Sequence, residues 1–167
     1  MNTAEIDRFA SAARTFITWA ESPASSDAHA EALAARRYIV ALIAAAIALP
    51  DATGTVEAPD IPDDEFRRMF QRFGALPFNY YSECFNPMIV PGEEPVTADL
   101  ADDLADIWRD VKGGLLLYDS GEAESAAWHW SSNYSFHWGH HATAALYALQ
   151  SWFSSSGDDH ATEQSID

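Results

Sequence analysis

The sequence predicts an all-α fold, a single-domain bundle of about five helices. Thirty of the 167 residues are Ala, the best helix former. Apolar residues recur at intervals of three and four along several stretches, and the Pro residues cluster between those stretches. A chain of this length buries about two thirds of its unfolded surface in one core. We therefore expect one helical domain over residues 1–153, followed by a disordered acidic and polar tail over 154–167.

The periodicity sets the bounds of the five helices, and turn residues separate them. The predicted helices cover residues 3–20, 27–49, 63–73, 97–118 and 122–153. Residues 38–49 are apolar at all twelve positions, which predicts that this part of the second helix is the most buried element, at the centre of the bundle. Pro50 ends the run well short of the roughly 18 residues that a membrane span needs.

The third and fourth helices carry acidic residues at or near their starts. Asp63 begins an acidic triplet that suits the positive end of a helix dipole. Thr97 is the predicted cap of the fourth helix, and Gly113-Gly114 predicts either a kink or a close helix approach there. The acids of this helix extend beyond the reach of its dipole, so we expect Arg109, another Arg, a partner or a cation to offset them.

The fifth predicted helix, 122–153, organises the chain because it holds four of the six Trp and four of the six His. One continuous face must be buried. It comprises Ala127, Trp130, Tyr134, His137 or Trp138, His141, Ala145, Leu149 and Trp152. Between the third and fourth helices, residues 77–87 contain four aromatic side chains between two prolines, which fits a helical turn across the bundle or an irregular lid.

The formal net charge of −17 excludes the chain from the usual class of nucleic-acid binders and disfavours anionic membrane surfaces. The acidity serves solubility or, alternatively, attracts a basic protein partner. Cys84 is the single cysteine, so no internal disulfide forms and nothing argues for an oxidising compartment. Residues 1–7 lack the pattern of a signal peptide, and we expect a cytoplasmic location. The sequence makes no prediction of the oligomeric state.

Three segments carry a resemblance to a known family. They are Phe78–Pro87, Leu100–Leu115 and Trp128–His141, the last ending in His-Trp-Gly-His-His. They are similar to the central blocks of the bacterial domain-of-unknown-function family 5063, over roughly residues 30–153. The resemblance implies an all-helical, single-domain bacterial protein and no assigned activity. Asn79 and Asn86 stand where acidic residues are expected in that family.

Two histidines form the main candidate for chemistry. His137 and His141 are four residues apart on one predicted helical face, a spacing that lets two imidazoles reach one metal ion. A buried imidazole needs a partner, so we expect both to lie within reach of a carboxylate, Asp103 or Asp106. The result is either a structural His–Asp pair or a metal site. No metal is assigned from the sequence; the candidate ligands are these four residues, and no cofactor is predicted beyond a divalent metal ion.

Two further groups of residues are candidates for binding. Aromatic residues, among them Tyr80, Tyr81, Trp130 and Tyr134, line a groove or form plain core. An acidic face is predicted to steer a basic partner, and it consists of Glu93, Glu94, Asp99, Asp103 and Asp110.

Two functional hypotheses follow. The first is a non-catalytic protein-interaction module, for example an acidic inhibitor or an immunity-type partner of a basic protein. It depends on the net charge and on the absence of a recognisable catalytic motif from the sequence. The alternative is a metal-dependent hydrolase with a His/Asp site between the fourth and fifth helices.

Overall fold

The computed structural model of the chain describes residues 3–162, with side chains as far as Ser155. Its elements are α1 (Thr3–Glu21), α2 (Ala28–Ile47), α3 (Asp63–Phe73), β1 (Tyr80–Glu83), β2 (Val96–Asp99), α4 (Leu100–Asp119), α5 (Ala123–Phe136) and α6 (Trp138–Thr162). The helical class is confirmed. Over the described range there are six helices instead of five, together with one two-stranded antiparallel sheet.

α4 is the central helix of the fold. It packs against α1, α3, α5 and α6, and thirteen of its twenty residues are buried. It begins where Asp99 accepts hydrogen bonds from the backbone of Ala101 and Asp102, so the cap is Asp99 and not Thr97. Thr97 lies in β2.

The prediction that residues 38–49 form the most buried element is wrong. Ile39 and Leu42 are fully buried and Ile43 is half-buried, but Val40 is 48% exposed and Ile47 is 70% exposed. α2 packs mainly on α1 and α6, which leaves one of its faces uncovered. Apolar composition around a whole helix therefore did not identify the helix that its neighbours enclose.

The predicted helix 122–153 is broken into α5 and α6 at His137, whose φ of −144° and ψ of −88° are not helical. The break follows from a close contact between the two helices. A Cβ added to Gly139 would lie 2.1 Å from the carbonyl oxygen of Tyr134, so only Gly allows the start of α6 to approach the end of α5 this closely. Trp138 is fully buried at this joint. α6 continues to Thr162, so the predicted tail is helical that far, and residues 163–167 lie outside the described residues.

The aromatic segment 77–87 contains a strand and is neither a helical turn nor an irregular lid. Tyr80 of β1 pairs with Asp99 of β2, and Glu83 pairs with Val96. The backbone N–H of Leu100 also donates to the carbonyl of Asn79. The hairpin is thereby fixed to the first turn of α4.

Gly114 explains how α5 comes close to α4. A Cβ at Gly114 would lie 2.2 Å from Nε1 of the fully buried Trp130. That nitrogen donates a 3.0 Å hydrogen bond to the carbonyl of Val111. The Gly113-Gly114 pair thus permits a close approach, and α4 runs through it without interruption.

Among the described residues, no helix is both long and apolar enough to cross a membrane.

Candidate metal centre

The acidic residues of α4 are offset by histidines. Asp103 and Asp106 are buried, and only 13% of the Asp110 side chain is exposed. Successive residues of this set lie three or four positions apart, which places them along one helical face. The joint between α5 and α6 presents His137 and His141 to that face.

His141 is held by Asp103. Its Nδ1 lies 2.8 Å from Oδ1 of Asp103, and the other oxygen of that carboxylate accepts a 2.5 Å hydrogen bond from the hydroxyl of Tyr81. Because a carboxylate only accepts, Nδ1 of His141 carries the proton. The expected contact between His141 and Asp103 is confirmed.

His137 is held by a different carboxylate from the one expected. Its Nδ1 lies 2.7 Å from Oδ2 of Asp110, instead of pairing with Asp103 or Asp106. The reason is the helix break, since His137 no longer continues the helical face of His141. The backbone at the break stays hydrogen-bonded, because His137 N–H donates to Asn133 and its carbonyl accepts from His140.

These two pairings leave Nε2 of each imidazole without a carboxylate partner of its own, and Asp106 lies near both histidines. Ligand atoms of Asp106, His137 and His141 all lie within 4.8 Å of one another. Nε2 of His141 is 3.7 Å from Oδ2 of Asp106. In protein zinc sites a ligating His usually donates its other N–H to a carboxylate or carbonyl, which fixes the tautomer and the ring orientation. Both histidines here have the carboxylate partner at Nδ1.

Arg109 is a positively charged residue that contacts the cluster of Asp106, His137 and His141 through Asp106. Its guanidinium bonds Oδ1 of Asp106 and lies over the Phe66 ring, 4.6 Å from the centroid. The side chain is 41% exposed. Asp106 therefore keeps Oδ2 for the histidines while Arg109 neutralises part of its charge.

The surroundings raise the pKa values of three groups at the site, His141, Tyr81 and Asp102. The hydrogen bond from Asp103, opposed by burial, raises the pKa of His141, and the charges of Asp103 and Asp106 add to the rise. Burial and the Asp103 hydrogen bond raise the pKa of Tyr81, so it is a donor at all physiological pH values. Burial and the neighbouring Asp106 raise the pKa of Asp102. A metal ion would supply the positive charge that the proton on His141 supplies without it.

His140 does not belong to the cluster. Its Nε2 lies 2.6 Å from Oε1 of Glu83 on β1. Both line a cavity of about 260 Å³ between the hairpin and α6, with Tyr81 and Cys84 also in its wall. Glu83 could not be identified from the sequence, because its position depends on the pairing of β1 with β2.

The remaining candidate residues are dispersed. Trp130 is core, Tyr134 packs on Trp138 with ring centroids 4.8 Å apart, and Tyr80 is exposed. They do not line a common groove with Tyr81. The predicted acidic face is also divided: Asp103 and Asp110 turn towards the histidines, Asp99 caps α4, and Glu93 and Glu94 are exposed in the hairpin loop. Arg109 is one of the groups expected to offset the acids of α4, and it pairs with Asp106; sequence reasoning missed Glu83.

Comparison with known proteins gives a family and a fold. The family described as "Domain of unknown function (DUF5063)" matches residues 1–155. The chain belongs to this family. The match confirms the resemblance and extends it towards the N-terminus.

A solved structure shares the fold of this DUF5063 protein. The crystal structure of protein BF1032 from Bacteroides fragilis superposes with a TM-score of 0.73 at 16% sequence identity, covering 87% of this chain and 90% of that one. At this identity the likeness concerns the fold alone. No curated protein matches the sequence.

Proposed function

We propose that this DUF5063 protein binds one divalent transition-metal ion through Asp106, His137 and His141. The observation that carries the proposal is that each histidine is held at Nδ1 by its own carboxylate. Asp106 lies beside both, 3.7 Å from Nε2 of His141 and with a ligand atom within 4.8 Å of one on His137. A purely structural His–Asp pair needs one carboxylate for each histidine, and Asp106 is a third.

The donor set fits zinc or another first-row metal, because imidazole and carboxylate ligands in this ratio suit such ions. Three protein ligands leave a coordination position for water, and a bound zinc ion lowers the pKa of that water to about 7. The half-exposed guanidinium of Arg109 lies beside one ligand, where it can stabilise negative charge that develops on an acyl or phosphoryl oxygen. We therefore propose hydrolysis as the reaction type.

The binding step is tested by calorimetric titration of chelator-treated protein with Zn²⁺ and Mn²⁺. One ion per chain is expected, and Asp106→Asn or His141→Gln should remove most of the binding. Asp103→Asn and Asp110→Asn, which only orient the histidines, should lower the affinity by about 10–100-fold. His140→Gln is the matched control, since His140 adjoins His141 but pairs with Glu83. Equal binding by the wild type and Asp106→Asn would refute the site.

The chemical step is tested with the metal-loaded protein on chromogenic carboxylic esters and phosphodiesters. Hydrolysis should depend on the metal and fall in Arg109→Met, with metal affinity retained. If the protein binds the metal stoichiometrically but hydrolyses neither class of substrate, the metal site stands and the proposed reaction is refuted.

A second candidate function is that of a protein-interaction module, and the hairpin loop favours it. Phe85, Met88 and Val90 expose most of their side chains there, close in sequence to the exposed Glu93 and Glu94. Apolar groups rimmed by acids suit a partner with a basic, partly apolar surface. Affinity capture with the wild type should retain a basic protein that Val90→Asp loses and that Tyr147→Asp, altered at an exposed residue of α6, keeps. Identical capture by all three proteins would exclude the hairpin loop as the surface that binds the partner.

A further inference from the structure

α2 carries an apolar face that no other described element covers. Val40 and Ile47 are 48% and 70% exposed, and Ala41, Ala44 and Ala48 are exposed between and beside them. Their spacing of three and four places these five residues along one side of the helix. Contiguous exposed apolar surface on a folded protein often marks an interaction site.

Grooves flank this face on both sides. The groove between α2 and α6 has a volume of about 500 Å³ and is lined by Arg37, Val40 and Leu146, among others. The groove between α1 and α2 measures about 680 Å³, and its lining includes Arg37, Ala41 and Ala44. α2 is therefore a ridge between two grooves, a shape that can interdigitate with another helix of the same form.

Opposite charges stand at the two ends of the ridge. Arg37 is exposed at one end and Asp51 is exposed just beyond the other, fourteen residues on. Within the described side chains, neither of them forms a hydrogen bond or an ion pair. α2 ends at Ile47 and is capped by Ala48, so Asp51 lies in the segment that follows the helix, beyond Pro50.

We propose that two copies of the chain form a twofold-symmetric dimer in which their α2 ridges pack antiparallel, with Ala44 on the axis. An isologous contact places Arg37 of one copy opposite Asp51 of its partner. The same register sets Val40 opposite Ala48 and Ala41 opposite Ile47, so that each large side chain meets a small one. Charge and volume are both complementary in this arrangement.

The size of the surface determines the strength of the dimer. A stable interface buries about 800 Å² on each partner. The ridge supplies only part of that area, and the walls of the two grooves on α1 and α6 must supply the rest. With a net charge of −17 on each copy, we expect a dissociation constant in the micromolar range that decreases as salt screens the repulsion.

Sedimentation velocity at chain concentrations of about 5–200 μM tests the proposal, since a micromolar interface populates both states over that range. The wild type should shift from monomer to dimer, whereas Ile47→Glu should stay monomeric with an unchanged circular dichroism spectrum, because the side chain is largely exposed in the monomer. Val90→Glu, on the equally exposed hairpin loop, is the matched control and should dimerise as the wild type does. A wild type that stays monomeric throughout, or a dimer that only Val90→Glu disrupts, would overturn the proposal.

A charge exchange tests the antiparallel register separately. Arg37→Glu and Asp51→Arg should each weaken the dimer several-fold, because each places like charges opposite one another. The double variant should recover most of the wild-type affinity. A double variant weaker than either single one would overturn the register.

Discussion

The pairing of His141 with Asp103 can be tested by a double-mutant cycle in metal-free protein. His141→Ala removes one hydrogen bond to a buried carboxylate and leaves Oδ1 of Asp103 without that donor. Hydrogen bonds to charged groups contribute about 1.5–3 kcal/mol, which is the expected loss in the free energy of unfolding. Asp103→Ala removes two bonds, from His141 and from Tyr81, so we expect a loss of about 3–6 kcal/mol.

The double variant should lose about 1.5–3 kcal/mol less than the sum of the two single losses, because each single variant already lacks the hydrogen bond between His141 and Asp103. Urea unfolding, followed by circular dichroism in the presence of a chelator, measures all four proteins. The parallel cycle of His140→Ala with Asp103→Ala is the control, since His140 contacts Glu83. Losses in the His141 cycle that add within about 0.5 kcal/mol would refute the pair.

Three other expectations follow from contacts described above or from buried charge. Gly114→Val should destabilise the fold by more than about 3 kcal/mol in thermal unfolding, because its side chain would overlap the Trp130 ring, whereas Gly92→Val meets no atom. Arg72→Met should cost about 3–5 kcal/mol, because it leaves the buried Glu31 carboxylate unpaired, against at most about 1 kcal/mol for Arg14→Met at the exposed Arg14–Asp119 pair. The pKa of His141 lies above its ordinary value of 6.5, because Asp103 bonds Nδ1–H, so the associated stabilisation is present below pH 6.5 and is lost as the pH rises through the folded-state pKa. NMR titration of the chelated protein should show this pKa falling in Asp103→Asn, and an unchanged value would contradict the argument.

Much of the helical framework could be predicted from periodicity and turn residues. The predicted range 63–73 is reproduced by α3, and α1 ends one residue beyond the predicted 20. Both helices are amphipathic, and local sequence marks one of their ends: Pro23 follows the end of α1, and the acidic triplet at Asp63 begins α3. The centre of the bundle could not be predicted, because which helix is enclosed depends on its neighbours. The sheet was missed because its two four-residue strands pair across a long loop.

The site was predicted in part for a physical reason. A buried imidazole must find a partner, and α4 carried more acids than its dipole could use, so the contact of His141 with Asp103 could be anticipated. The partner of His137 could not, because its direction depends on the break before Trp138. Glu83 depends on tertiary placement in the same way, whereas Arg109 meets Asp106 three residues away on the same helix.

The joint at His137 has a consequence for comparing members of the DUF5063 family. The two imidazoles converge only while the start of α6 touches the end of α5, and that contact requires the absence of a side chain at Gly139. A relative with both histidines but a larger residue at this position would have to open the joint and turn one ring away. The diagnostic pattern is therefore His-x-Gly-x-His, in which the middle residue reports on the geometry of the other two.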